Sequence, residues 1–509
     1  MPGAYGLQPL SIWALFVVLT VLARRDRRLL YRLPVIVVGV VAALCLARAV
    51  FEHGFRGTQT AEFDSSFFHL MLALAGGAAI PALCSWAKAG LARDLPRLAR
   101  ALRGKARWVA ACLVLALAAA AAYYVYGLAL ARHGAFAQYD LLFDADPVRY
   151  IRLLEGTASP YEQIVQKHPL FALLERTAFF ITTPIVGTEN APILVSASAG
   201  GLSLALAAEY FRLITRSQSL ALALAASLGV TSGHLVFAAT PETYAVSAAV
   251  LILLHLLVAR GPCRGVRFRH ELLAAVLATG VATTHVVVAG VCFAIAHLRT
   301  RRWRRLLRWL VCLPTVLAVP LVLQSVLVPN AVLREMHVEM SSYDLRFLEP
   351  GVLAAPGHAL GNVARGVFAE SVVGFTPDIR TGQGRPTALA AGPYSGALAR
   401  LCVFIWAAGL LSAAIVVLAR RGLRRPTFWA ALLCLGSTGV FHLFYGNDCI
   451  FLYSCTFTFY LFAVVAHAAA SVSRRWLTPA VIAFGLLLLV NNVAFLGRVL
   501  QALDSLPKL

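Results

Sequence analysis

Apolar runs of about 17–25 residues recur along most of this 509-residue chain. Each is long enough, as a helix, to cross a hydrocarbon layer of about 30 Å. Backbone amides have no water to bond in lipid, so only helices or closed barrels can cross it. The short alternating pattern of a barrel is absent, which leaves helices. With 60% of residues hydrophobic and a mean hydropathy of +0.77, a soluble class is excluded. The expected fold is an all-α polytopic transmembrane bundle of about 12–14 membrane segments.

Spans are expected near 8–23, 33–51, 66–87, 108–131, 190–212, 218–236, 242–259, 309–328, 396–419, 427–446, 451–470 and 477–497. The net charge of +22 suggests nucleic acid until its distribution is read. The basic residues sit in short segments between spans: RRDRR at 24–28, then 88–107, 260–269, RTRRWRRLLR at 299–308 and RRGLRR at 420–425. Such clusters mark loops retained on the cytoplasmic side, and they suit an anionic leaflet. No nucleic-acid partner is expected. The order of charges at the start predicts an uncleaved first helix with its N-terminus outside.

The stretch 271–297 has basic clusters at both ends, including six arginines within 299–308. A single crossing would put one cluster outside. A broken or re-entrant hairpin, interrupted at Gly280 and at Thr283-Thr284-His285, keeps both inside. Two-thirds of the Lys and Arg residues then share one side with only Asp26, Asp94 and Glu271 among the acids. Glu209 falls within a span. Two long segments, 132–189 and 329–395, emerge together on the external face. The first contains PLFALLERTAFFITTPIVG at 169–187, which reads as an interfacial helix. In the second, TPDIRTGQGRPTALAAGP reads as a mobile, lid-like stretch. The chain thus divides into 1–107, three extra spans and a basic loop; 108–328, a core with the first external loop; 329–395, the second loop; and 396–509, the C-terminal spans. The ten cysteines show no zinc-type spacing and read as apolar packing residues.

YDLLFDADPVRYIRLL at 139–154 places Asp140, Asp144 and Asp146 where the chain leaves the bilayer. Asp144 and Asp146 can hold a divalent cation, Mg or Mn, or accept a proton. Either can also cap the helix that Pro147 begins. Arg149 and Arg152, three apart, can face a phosphate together or neutralise the two aspartates. Lys167 and His168 can hold a phosphate, though a lysine here can equally snorkel to the interface. Glu242 is a helix cap or a groove residue. His285 lies at the expected hairpin tip and is either a cavity residue or a core histidine bonded to a carbonyl. Asp448 and Tyr453 flank the turn FYGNDCIFLYS and are groove candidates, with turn chemistry and interface anchoring as the plain alternatives. Arg334, Glu335, Glu339, Arg365, Arg380 and Arg385 of the second loop are unranked.

An acidic DAD motif in the first large external loop, interfacial helices after it, and FDADPVRY followed by KHPLF together resemble the GT-C superfamily of membrane glycosyltransferases. The resemblance covers roughly 108–497, and the three spans before it depart from the family pattern. It implies a polyprenyl-phosphate-linked sugar donor; a glycan, lipid or protein acceptor; and a periplasm-facing site in a bacterial inner membrane. It implies Asp146 as general base, with Asp144 second, and cations at Arg149, Arg152, Lys167 and His168 for the leaving phosphate. A metal is compatible but not required. The competing class is a transporter or flippase, which would share the broken spans.

Overall fold

The computed structural model describes residues 106–155, 168–261, 268–327, 355–382, 385–419, 425–472 and 474–506. The spans expected before residue 107 lie outside the described residues, as do Lys167, Arg334, Glu335 and Glu339. Among the described residues, seven helices are long and apolar enough to cross a membrane. They make this an integral, multi-pass membrane protein.

The first is α1 (Ala106–Arg132), followed by the short α2 (Pro147–Glu155) and α3 (Phe171–Val186). Next come α4 (Ala191–Thr215), α5 (Gln218–Gly229), α6 (Ser232–Phe237) and α7 (Thr243–Arg260). The helices α8 (Phe268–Val281) and α9 (His285–Arg299) precede α10 (Trp303–Leu327). A short α11 (Pro356–Arg365) runs into a π turn and a β-hairpin, β1 (Pro377–Gly382) and β2 (Arg385–Ala391). The chain closes with α12 (Ala397–Ala419), α13 (Pro426–Phe444), α14 (Ser454–Ala469) and α15 (Arg474–Asp504). The α14 span is 78% buried and α1 only 17%, so α14 is central and α1 presents most of its apolar surface outward. Exposed Leu113, Val114, Leu117 and Val125 on α1 suit contact with lipid tails.

Two ends of the bundle are distinguished by their chemistry. At the basic end, Glu209 of α4 meets Trp108 of α1 and Arg260 of α7. At the other end, here the loop end, the first and second long loops meet. The hairpin expected over 271–297 is present as α8 and α9, broken at 282–284. Its tip is tied to the first loop: Leu170 N–H donates to the Gly280 carbonyl at 2.7 Å, and His168 Nδ1 to the Val281 carbonyl at 2.7 Å. His285 Nδ1 reaches the Ala278 carbonyl at 3.2 Å. The carbonyls left over at the end of α8 are thereby satisfied. Gly280 is needed here, because a Cβ would lie 2.4 Å from Leu170.

The span expected over 218–236 is not continuous. GVTSG, at 229–233, interrupts it between α5 and α6. The free carbonyl of Val230 accepts from Asn492 Nδ2 at 2.7 Å, and Tyr123 donates to Gly229 at 2.8 Å. On the α6 side, Ser232 and Gly233 amides donate to the carbonyls of Val372 and Ser371. Asn492 also bonds the Val372 carbonyl and the Gly374 amide. The buried segment 371–375 thus repairs a helix break inside the bundle, as broken helices at this depth require.

Within the segment read as mobile or lid-like, β1 and β2 pair as an antiparallel ladder, a departure from all-helical structure. It is anchored to the first loop by Leu389 N–H donating to the Leu141 carbonyl at 2.8 Å.

Candidate functional site

The first loop approaches α2 through an unusual backbone. Asp140, Phe143 and Asp144 all have positive φ, at 60°, 55° and 64°. Each costs roughly 1 kcal/mol for a residue with a Cβ, and least for aspartate. Phe143 offsets this by burying its ring against Phe451 at 5.0 Å and Phe375 at 5.8 Å, worth about 1.5–3 kcal/mol. The result is a compact turn in which Asp140 N–H bonds the Ala145 carbonyl, bringing positions 140 and 146 together. Pro147 opens α2 as expected.

Asp140 and Asp146 lie close enough for each carboxyl to shift the other's titration, and burial raises both above the ordinary carboxylate range, Asp146 to about 7. Arg149, on the first turn of α2, works against that rise at Asp146. Across from them Glu242, at the start of α7, is 4% exposed and is pushed up to about 8 by burial and by the Asp146 charge. Its carboxylate accepts from Thr243 N at 2.8 Å, and the Asp146 amide also donates to it. Glu242 therefore caps α7 while lying near Asp146. Glu175 of α3 completes the group: it is buried, its Oε1 lacks a hydrogen-bond partner, and burial followed by the Glu242 charge raises it well above the usual range. The four carboxyls from α3, α7 and the first loop thus form a chain of neighbours: Glu175 feels Glu242, Glu242 feels Asp146, and Asp146 feels Asp140.

Asp144 points elsewhere. Its carboxylate lies 3.8 Å from Arg380 of β1, whose other nitrogen donates to the Asp448 carbonyl at 3.3 Å. This contact joins the first loop, the hairpin and the 446–448 turn. Asp448 itself is exposed, and it is the backbone that takes part. Tyr453 packs its ring on Tyr244 at 5.7 Å and on His442 at 4.8 Å, so it lines the same end of the bundle just below the acidic group. His168 uses Nδ1 on the hairpin tip and sets its ring against Tyr150 and Phe171. A phosphate contact would fall to its Nε2. Arg152 is exposed on the far turn of α2. His285 is buried and occupied with Ala278, the plain reading of a core histidine.

Asp146 has Asp140 as its carboxylate neighbour, whereas Asp144 lies beside Arg380. A hard cation such as Mg or Mn would therefore use the 140–146 pair. Among the unranked residues of the second loop, Arg365 forms an ion pair with Glu370, whose carboxyl is pushed up to about 7 by burial against the opposing pull of Arg365. Arg385 enters the hairpin register opposite Gly382. Asp140 and Glu175 were legible as acids but not as partners of Asp146. The signals were indirect: a third aspartate in one turn, and a charge interrupting an apolar helix.

No protein-family model matches the chain, and no curated protein does either.

Proposed function

We propose that this protein is a membrane glycosyltransferase that moves a sugar from a polyprenyl-phosphate donor to an acceptor hydroxyl at the loop end of the bundle. The observation that carries this reading is the Asp140–Asp146 pair, with Asp146 pushed up to about 7 by burial, set near buried Glu242 and Arg149 where the two long loops meet. A base that titrates near neutrality is well matched to taking a hydroxyl proton.

In the proposed step the acceptor oxygen forms a bond to the anomeric carbon while its proton passes to the Asp146 carboxylate. The bond from that carbon to the phosphate oxygen breaks with inversion, and the electron pair leaves on the polyprenyl phosphate. Arg149, with Arg152 and Lys167, would stabilise the charge growing on that phosphate, each well-placed donor contributing up to ~3–4 kcal/mol. Asp140 would act as a positioning residue whose neighbouring charge keeps the Asp146 carboxyl basic. Arg380 would fix the β-hairpin over the site through Asp144. On this reading the loop end faces the exterior or periplasm, a placement supported by the distribution of basic clusters.

The transporter reading draws support from the two broken helices. It is weakened by Glu209, the carboxylate within a span, because that side chain is taken up by Trp108, Arg212 and Arg260. Turnover of purified protein with a panel of polyprenyl-phosphate sugars decides between them. Wild-type transfer lost in Asp146→Asn, with donor binding retained, supports the enzyme. Lipid-linked substrate crossing proteoliposomes without transfer supports the carrier.

A further inference from the structure

On the opposite side of the bundle's centre, three soft ligands from three helices converge. His255 of α7 and Cys292 of α9 approach to 3.4 Å (Nε2 to Sγ), and Cys292 and Cys434 of α13 to 3.8 Å between sulfurs. One ligand atom from each lies within 4.8 Å of those of the other two, and all three residues are fully buried. These separations match a coordination sphere. A tetrahedral ion with sulfurs at about 2.3 Å and nitrogen at about 2.0–2.1 Å sets S···S near 3.8 Å and S···N near 3.6 Å.

We propose that His255, Cys292 and Cys434 form a binding site for a thiophilic d10 cation, zinc(II) or copper(I), inside the membrane bundle. Thiolate and imidazole ligands select such ions over hard ones. In a lipid-embedded core an uncompensated ion is costly, and ligand charge answers this: two thiolates neutralise zinc(II), one neutralises copper(I). The surroundings are those of a supported site. Tyr210 sets its ring edge-on to His255 at 6.4 Å and contacts His467 through its hydroxyl, and Tyr460 packs on His255 at 5.1 Å. The hydroxyl of Tyr460, the residue that packs on His255, is buried without a hydrogen-bond partner. A cavity of about 290 Å³ at the basic end is lined by Val258, Ala296 and Thr427, one turn from His255 and Cys292 and two turns from Cys434. The bound ion would clamp the α8–α9 hairpin and α13 to the central α7.

The test uses the full chain purified under reducing conditions and supplied with zinc(II) or copper(I) alone. Metal content is read by mass spectrometry, and sulfur ligation by X-ray absorption on the wild type. One ion per chain, two sulfurs in its first shell, and at least a tenfold loss of affinity in Cys292→Ser and Cys434→Ser support the site. Cys402→Ser, in α12, should leave the metal in place. Which ion is retained identifies the metal. No uptake, retention by both serine variants, a first shell without sulfur, or a Cys292–Cys434 disulfide in the isolated protein overturns it. If the variants do not fold, the wild-type absorption spectrum alone decides.

Discussion

At the basic end of the bundle, Glu209 receives Trp108 Nε1 at 2.9 Å, Arg212 Nε at 2.7 Å and Arg260 at 3.3 Å. Glu271 is likewise held by His297 at 2.9 Å and Arg305 at 3.5 Å. At the loop end, Asp140, Asp146, Glu242 and Glu175 follow one another as electrostatic neighbours, with Arg149 the cation that acts on Asp146. The first arrangement neutralises buried charge and fixes helix ends. The second crowds like charges in a place shielded from water, which disfavours ionisation and works against folding at neutral pH. Such an arrangement persists where something other than stability maintains it, so the loop end is where function is sought.

The sharpest way to break this contrast is to neutralise one carboxyl at each end. Asp146→Asn should lower sugar transfer about 10²–10⁴-fold, with thermal stability unchanged or raised. Glu209→Gln should do the opposite: transfer is retained per folded molecule, while stability falls by about 1–3 kcal/mol as two arginines lose their partner. Rates and unfolding temperatures measured on the same preparations test both. Equal effects at both ends would remove the distinction.

The pH dependence sharpens it further. The folded Glu242 carboxyl titrates at about 8, above its ordinary value of 4.5, so the native state binds more protons than the unfolded one between those values. The protein should therefore lose stability as pH rises from about 4.5 to 8, and Glu242→Gln should flatten that slope. Transfer should rise over the upper part of the same window, as Asp146, pushed up to about 7 by burial, loses its proton. Unfolding temperature and rate against pH, in wild type and Glu242→Gln, check the two trends. The smallest effect belongs to the half-exposed Asp144–Arg380 contact. A double-mutant cycle with Asp144→Asn and Arg380→Ala should give a coupling below about 1 kcal/mol in stability.

Much of this was legible in the residues themselves. The break near Gly280 followed from basic clusters on both flanks, and the bounds of α3 from an apolar run that Glu175-Arg176 interrupts. The second break, at 229–233, was signalled by GVTSG, but the apolar run around it was long enough to pass for one crossing. The partner that makes this break tolerable is Asn492, 262 residues away from Val230, and no local pattern points to it. The pairing of Asp140 with Asp146 likewise depends on three positive φ angles, one at Phe143, where the residue type argues against the conformation. Lid-like composition at 377–391 proved compatible with a hairpin, because Gly-rich and Thr-rich stretches serve turns and strands alike.

Asn492 also sets a timetable for assembly. A ribosome adding about 5–20 residues per second leaves the Val230 carbonyl without this amide for roughly 13–50 s after it is made. During that interval the nascent α5–α6 corner is an open polar seam in the bilayer, held provisionally by water, lipid headgroups or the insertion machinery. Arrival of α15 seals the seam and, with the same side chain, locks the 371–375 segment behind it. Quality control in the cell therefore has a late, single-residue checkpoint to read. A chain that stops before Asn492 should reach the membrane and then be cleared from it.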